Sequence, residues 1–347
     1  MPRRTQALLV SVVAAVALFV VAWQLPVPYV ALSPGPTFDT LGVQPGSQTP
    51  LIRIQGRPTY PTRGHLILLT VGVNGGPGDE LNLFRAIAGW FNTKDLVLPE
   101  QFVFPAGQTP QQATHQQSQE MSQSQQDAMT AALYQLHVPG TVSIETVDPA
   151  QSASAVLQPG DEIVTVDNQP IHSIGDLLDV AKGLRVNRLV DMVVRRDGRI
   201  VRVGVNPTTE SDTADYLPML GFTPAETPLP PLKITIDLTN VGGPSAGTMF
   251  ALGIIDKLTP GGINGGLTIA GTGAIGYKGD VLEIGGIKQK VFAALAAGAT
   301  VFLAPTGECP DAASVAPPGL RVIPVATLSA ALADLASLAR GGPVPHC

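Results

Sequence analysis

Residues 232–257 run Leu232-Lys-Ile-Thr-Ile-Asp-Leu-Thr-Asn-Val-Gly-Gly-Pro-Ser-Ala-Gly-Thr-Met-Phe-Ala-Leu-Gly-Ile-Ile-Asp-Lys257. Alternating apolar residues at the start predict a strand, a glycine turn follows, and Ser245 then opens an apolar helix. A serine in this place commonly caps the helix, but the free backbone N–H groups beside it can also stabilise an oxyanion. Ser245 is therefore either a cap or a nucleophile.

A nucleophilic serine needs a base, and the histidines are badly placed to supply one. Gly243-Pro-Ser-Ala-Gly247 fits the Gly-x-Ser-x-Gly turn of α/β-hydrolases, where the histidine follows the serine along the chain. The only histidine downstream of Ser245 is the penultimate residue, His346. An upstream histidine stays open in principle, as in the chymotrypsin order. Two of the four upstream candidates, His115 and His137, lie in or beside a glutamine-rich helix.

Lysine is the remaining candidate base. Lys257 ends a predicted helix, where a cation suits the helix dipole, and Lys278 lies in a predicted turn. Lys288 follows Ile284-Gly-Gly-Ile287 and opens an apolar helix, a place where an ammonium can be desolvated and its pKa lowered. Lys290 is expected to point away from Lys288 on the same helix. We therefore predict Ser245 as nucleophile and Lys288 as general base.

Three ordered blocks resemble the proteolytic domain of Lon-type peptidases, which use a Ser–Lys dyad. They are Gly243-Pro-Ser-Ala-Gly247, Thr272-Gly-Ala-Ile275, and Gly279-Asp-Val-Leu-Glu-Ile-Gly-Gly-Ile-Lys288. The resemblance implies that Gly243 and Ala246 support the nucleophile and that the Thr272 hydroxyl orients the lysine. Two residues depart from the family pattern: Gly242 stands where Lon enzymes carry an acid, and Ala274 stands where they carry Glu.

A further block, Met121-Ser-Gln-Ser-Gln-Gln-Asp-Ala128, resembles a Lon helix that precedes the active strand. Between it and Ser245, short β-rich runs surround one helical segment, and Leu157-Gln-Pro-Gly-Asp-Glu-Ile-Val-Thr-Val166 is similar to PDZ domains. The chain thus resembles membrane-anchored, PDZ-containing Lon-like proteases. PDZ domains bind extended peptides at a sheet edge, and we predict Gly140, Thr141 and Val142 as the peptide-binding loop.

The N-terminus predicts a membrane anchor. Arg3 and Arg4 precede a run from Ala7 to Trp23 that has no charged residue and is near the lower length limit for a spanning helix. A cleaved signal peptide is the alternative, but its apolar core would be shorter and would end in a small-x-small site. The positive-inside rule then places the N-terminus in the cytoplasm and the rest of the chain outside it, as a single-pass protein of the cell membrane.

The predicted fold class is α+β: a Lon-type proteolytic domain with an inserted β-rich PDZ domain, behind one transmembrane helix. The predicted divisions are a cytoplasmic tail (1–6), the anchor (7–27), a linker with first strands (28–60), the first protease part (61–137), the PDZ insert (138–207), a linker (208–231), the catalytic part (232–341) and a tail (342–347). Residues 108–126 are glutamine-rich, which by composition alone could be a disordered linker, but apolar spacing predicts that their second half is helical, to about Leu136.

These features predict an ATP-independent serine endopeptidase whose PDZ domain recruits protein or peptide substrates. The sequence contains no Gly-x-x-x-x-Gly-Lys-Ser/Thr loop, and we expect no cofactor and no metal. Lys and Arg total 21 against 27 Asp and Glu, with no basic cluster, so a nucleic-acid partner is not expected. The resemblance is also consistent with a homo-oligomer.

Two alternatives remain open from the sequence. An inactive, membrane-anchored PDZ adaptor is the competing function, and Gly242 and Ala274 are the residues that keep it open. Cys309 and Cys347 are the only cysteines, and they form either a disulfide or two separate thiols.

Overall fold

The structure is a computed structural model that describes residues 3–44, 46–186, 188–207, 220–229 and 232–347. The part before the insert forms three helices and six strands. They are α1 (Arg3–Gln24), β1 (Pro26–Val27), β2 (Tyr29–Asp39), β3 (Ile52–Gln55), β4 (His65–Asn74), β5 (Leu81–Asn82), α2 (Leu83–Phe91), β6 (Leu96–Pro99) and α3 (Pro110–Gln135).

The insert contributes six strands and one helix. They are β7 (Gly140–Val147), β8 (Glu162–Val166), β9 (Gln169–Pro170), α4 (Ile174–Ala181), β10 (Val190–Arg196), β11 (Arg199–Val205) and β12 (Phe222–Pro228). The remainder alternates strands and helices. They are β13 (Lys233–Ile236), α5 (Gly247–Leu258), β14 (Thr268–Gly271), β15 (Ala274–Ile275), β16 (Val281–Leu282), α6 (Ile287–Ala296), β17 (Val301–Pro305), α7 (Cys309–Ala313), β18 (Arg321–Val325) and α8 (Leu328–Ala339).

One six-stranded sheet joins the segments on either side of the insert. Its strand order is β18-β17-β14-β4-β2-β6, in which β4, β14, β17 and β18 run parallel and β2 is antiparallel to both neighbours. Strand β2, which belongs to the segment predicted to hold a linker and first strands, therefore lies inside the sheet. Strand β4 brings the first half of the sequence directly beside β14, which leads into the candidate site.

Both faces of this sheet are covered, as its apolar strands require. On β4, Leu66 and Leu68 face a core shared with α3 and α5. The alternate residues Ile67 and Leu69 face a second core built with α6 and α7. Helix α5, which follows Ser245, and helix α6, which carries Lys288 and Lys290, therefore lie on opposite faces of one sheet.

Helix α3 begins earlier than its glutamine-rich sequence suggested. Thr109 and Gln112 form a capping box and Pro110 occupies the first turn, so the helix starts at residue 110. Buried positions then recur along it at Ala113, Met121, Ser124 and Ala128. The capping signal outweighs the polar composition, and residues 110–120 are helical.

The insert has a sheet and a core of its own. The strand order is β11-β10-β8-β7-β12, and the core includes Val142, Ile163, Leu177 and Met192. Residues 222–228, which lie in the segment predicted to be a linker, instead form strand β12 and pair with β7 at the edge of the sheet. Residues 208–219 of that segment lie outside the described residues.

Helix α4 of the insert packs against α3 and against the turn between β15 and β16. The Tyr134 ring of α3 lies so close to Gly175 that a Cβ there would come within 2.3 Å of it. Lys278, in the turn between β15 and β16, pairs with Asp179 of α4 and lies 5.9 Å above the Tyr134 ring. The adjacent Tyr277 packs on the core of the insert.

Helix α1 contacts the body of the protein through aromatic rings: Phe19 and Trp23 lie 4.9 and 5.2 Å from Phe84 of α2, between ring centroids. Its described apolar side chains, such as Val16 and Leu18, are mostly exposed. Among the residues whose placement is described, no helix has the length and apolarity that crossing a membrane requires.

Cys309 at the start of α7 forms a disulfide with Cys347, and their Cα atoms are 5.7 Å apart. Of the two open alternatives, the structure has the disulfide. The bond ties the C-terminal residues to the turn that follows β17.

We expect reduction to destabilise the protein. The bond closes a separation of 38 residues, for which loop-closure entropy predicts about 3–4 kcal/mol. Urea unfolding with and without reductant measures this, with Cys347→Ser as the control that reductant leaves unchanged. Equal effects of reductant on the wild type and on Cys347→Ser would contradict it.

Candidate functional site

Helix α3 holds the loop that carries Ser245. The Ser124 hydroxyl donates to the Pro244 carbonyl at 2.9 Å, and the Gly243 N–H donates to the Gln117 carbonyl at 3.2 Å. Gly243 itself has φ +85°, a left-handed conformation that favours glycine. Ser245 lies two residues before the first residue of α5, and Ala246 is buried beneath it.

The same helix explains why residue 242 is glycine. A Cβ at Gly242 would lie 2.6 Å from the Gln117 Cβ, so a larger residue would displace α3. An acid of the kind that Lon enzymes carry here does not fit this packing. The departure at Gly242 thus has a steric cause, and the serine loop keeps its hydrogen bonds.

The end of strand β14 fixes the backbone of Ser245 from the other side. The Ser245 carbonyl accepts from the Gly273 N–H at 3.1 Å and from the Thr272 hydroxyl at 3.0 Å. Thr272 is 1% exposed, and its own N–H donates to the Leu303 carbonyl of β17. Thr272 therefore links the loop that carries Ser245 to the centre of the sheet.

Lys290 completes this chain of contacts. Its side chain is 2% exposed, and its Nζ donates to the Thr272 Oγ1 at 2.9 Å. Lys290 and Ser245 line the same cleft, which has a volume of about 610 Å³. Ser245, Thr272 and Lys290 therefore form one connected group.

Burial lowers the pKa of Lys290 to about 7, and the negative charge of Glu308 opposes that shift. A lysine with this pKa is partly neutral near pH 7, and its neutral amine can accept a proton. It has the property that sequence reasoning assigned to Lys288.

The sequence pattern predicted Lys288 as the base, but the structure places Lys288 outside the group that Ser245, Thr272 and Lys290 form. Lys288 lies on the outer face of α6, with 46% of its side chain exposed, and its Nζ is 3.2 Å from a carboxylate oxygen of Asp311. Ile287, Val291 and Ala294 mark the buried face of α6, and Lys290 follows Ile287 by three positions. Residues three positions apart share a helix face, whereas Lys288 is one position after Ile287 and lies on a different face. The helical period was the signal that identifies Lys290.

One wall of the cleft is a strand edge. The ladder between β4 and β14 covers His65 to Leu68, and the following residues of β4, Leu69 to Val73, line the cleft. Ile284 and Gly285, from the loop before α6, line it as well. The cleft is open to an extended chain beside Ser245.

The residues predicted as the peptide-binding loop of the insert form part of a strand in the structure. Gly140, Thr141 and Val142 belong to β7, and each is paired with β12, opposite Pro228, Thr227 and Glu226 respectively. Val142 also pairs with Ile163 of β8. Pairing with β12 therefore occupies one side of all three residues, and Val142 is paired on both sides. The edge strand at this end of the sheet is β12, and α4 packs beside it.

Comparison with known proteins bears on both parts of the chain. Residues 238–335 match the Lon protease (S16) C-terminal proteolytic domain, and residues 119–206 match the PDZ domain. The chain carries a Lon-type proteolytic domain and a PDZ domain. The S16 match supports a serine protease.

Individual relatives agree with this. The Lon protease of Neorickettsia sennetsu is 36% identical over 104 residues, which are 29% of this chain and 12% of the relative. The Lon protease of Clostridioides difficile is 48% identical over 67 residues, 19% of this chain and 8% of the relative. The chain thus spans about a tenth of the length of these relatives.

Among solved structures, the PDZ domain of the SdrC-like protein from Listeria monocytogenes is similar to 20% of this chain and 75% of that one. The sequence identity is 20% and the TM-score 0.20. At that score the likeness adds nothing to the assignment of the insert.

We expect Lys290→Met to stabilise the protein in a pH-dependent way. Below pH 7 Lys290 is charged in the folded and the unfolded state, so burial costs the wild type its full penalty. As the pH rises through about 7 the folded state loses its proton, and the penalty fades as the pH approaches 10.5, the ordinary pKa of a lysine. The gain should be a few kcal/mol below pH 7 and shrink above it.

Chemical unfolding from pH 6 to 10 measures this gain. Lys288→Met, which removes an exposed lysine from the same helix, is the matched control and should show no such trend. A constant difference between Lys290→Met and the wild type across that range would contradict burial of the charge.

Proposed function

We propose that the chain is an ATP-independent serine endopeptidase in which Lys290 is the general base for Ser245. The observation that carries this proposal is the buried Lys290, hydrogen-bonded to Thr272 and lining one cleft with Ser245. The Lon-type match supports the reaction class. Ser245 and Lys290 are proposed to act as a pair, since the sequence offers no histidine in a suitable position to serve as the base.

In this mechanism neutral Lys290 takes the proton of the Ser245 hydroxyl as its oxygen attacks a peptide carbonyl. The resulting ammonium gives the proton to the leaving amine, which leaves an acyl-enzyme on Ser245. Lys290, again neutral, then activates the water that hydrolyses the ester. Thr272 orients the lysine, because its hydroxyl oxygen accepts a hydrogen bond from Nζ. The same hydroxyl donates a hydrogen bond to the Ser245 carbonyl.

The oxyanion is assigned to backbone N–H groups at the start of α5. In the part of the chain that the structure describes, the N–H groups of Ser245 and Ala246 donate to no backbone carbonyl, whereas Gly247 N–H is bonded to the Pro244 carbonyl. Free N–H groups at a helix start favour a developing negative charge.

Substrate is proposed to bind as an extended segment along Leu69 to Val73 of β4. This edge lines the cleft after the pairing with β14 has ended. Strand addition supplies backbone hydrogen bonds that do not depend on side-chain identity. Such binding suits unfolded or extended protein segments.

We further propose that the PDZ domain recruits such segments at β12. This strand is at the sheet edge, beside α4, which is the arrangement that strand addition uses. Contact of α4 with the turn at Lys278 keeps the recruited segment near the catalytic part. The uncharged run from Ala7 to Trp23 remains the basis for proposing a membrane anchor with the catalytic part outside the cytoplasm.

Cleavage of an unfolded protein without ATP tests the proposed function. We expect Ser245→Ala and Lys290→Met each to lose at least about 1,000-fold in kcat/KM, because each removes half of one catalytic unit. Lys288→Met should stay within about threefold of the wild type, since its ammonium is exposed and paired with Asp311.

The comparison is made on the full chain with one substrate and matched protein concentrations. Cleavage by Lys290→Met at the wild-type rate would contradict the assignment of the base. No cleavage by the wild type would instead favour the PDZ adaptor.

A further inference from the structure

Glu308 lies behind the wall of the cleft. Strands β14 and β17 are parallel neighbours in the sheet, so the residues that follow them emerge at the same edge. Thr272 follows β14 directly, and Glu308 ends the short turn after β17, at residues Thr306–Glu308. The Thr272 N–H donates to the Leu303 carbonyl, which ties these two exits together.

The Glu308 carboxylate holds the loop that leads to Lys290. Its Oε2 accepts from the Ile284 N–H at 2.9 Å. Ile284 lines the cleft together with Ser245 and Lys290, and the Gly286 carbonyl of the same loop accepts from the Lys290 N–H at 3.1 Å. A shift of the Glu308 side chain would therefore move both the loop that lines the cleft and the backbone of Lys290.

Glu308 also interacts with Lys290 by charge. Burial lowers the pKa of Lys290, and the negative charge of Glu308 opposes that shift. Burial likewise raises the pKa of Glu308, and the Lys290 charge is among the groups that oppose it. The other charged groups around this centre are more exposed or otherwise paired. They are Glu283 on the loop before α6, Asp311 of α7 with Lys288, and Glu120 of α3 at the rim of the cleft with Gln116.

We propose that Glu308 is a positioning residue for Lys290: its carboxylate fixes the cleft loop through Ile284 and stabilises the ammonium that forms when Lys290 takes the Ser245 proton. This inference rests on the proposed Ser245–Lys290 function. In this role Glu308 acts through its charge and its hydrogen bond to Ile284, and it takes no proton from Ser245. Its part resembles that of a carboxylate that stabilises the protonated base of a triad.

Glu308→Gln tests the charge, because glutamine keeps a carbonyl oxygen for the Ile284 N–H. The full chain carrying Ser245→Ala is treated with cyanate across pH 5 to 10, and carbamylation of Lys290 is followed by mass spectrometry. Only the neutral amine reacts. We expect Glu308→Gln to move the midpoint of Lys290 labelling to lower pH and, with Ser245 intact, to lower the plateau kcat about tenfold.

Asp311→Asn is the matched control, since it removes an exposed acid three residues away and should leave the Lys290 midpoint unchanged. Labelling does not require proteolysis, so the proposed function is refuted if Lys290 labels as expected in the Ser245→Ala chain but the wild type does not cleave. A Glu308→Gln profile that superimposes on the wild type refutes the role of Glu308.

Glu308→Asp decides the question if Glu308→Gln does not fold. It keeps the charge but withdraws the carboxylate by one methylene from the Ile284 N–H and from Lys290. We expect a lower kcat and a lower labelling midpoint. A Glu308→Asp enzyme that matches the wild type in both would overturn the proposal.

Discussion

The hydrogen bond from the buried Lys290 Nζ to the Thr272 hydroxyl connects every part of the candidate site. An ammonium in the interior is unfavourable, so the lysine is biased towards its neutral form and its pKa falls to about 7. Thr272, the polar partner of Lys290, is itself held in place because its hydroxyl donates to the Ser245 carbonyl. Burial thus lowers the pKa of Lys290, and Thr272 positions its amine.

The sheet makes this arrangement possible with segments that are far apart in sequence. Strands β4, β14 and β17 run parallel, and the cleft forms where β14 ends and β4 continues. Helix α3, which precedes the PDZ insert, holds the serine loop from the opposite face through Ser124 and Gln117. The insert therefore does not interrupt the site, since the elements on either side of it rejoin in one sheet.

The sequence predicted the Lon-type and PDZ parts of the chain and the turn and helix around Ser245, because glycine turns and apolar periods are local signals. It failed where the answer depended on contacts between distant segments. Strand β12 was missed because its partner, β7, lies far before it along the chain. For the same reason Gly140, Thr141 and Val142 were predicted to form a loop. Lys288 was chosen from its place after Gly285 and Gly286, whereas the face of α6 that packs on the sheet carries Lys290.

The central claim is that the buried Lys290, and not the exposed Lys288, activates Ser245. The pH dependence of Ser245 labelling by a fluorophosphonate, followed by intact-protein mass spectrometry, tests it most directly. The account predicts a rate that rises with a midpoint near the Lys290 pKa of about 7 in the wild type and in Lys288→Met, and is lost in Lys290→Met. Labelling that persists in Lys290→Met and is lost in Lys288→Met would contradict it.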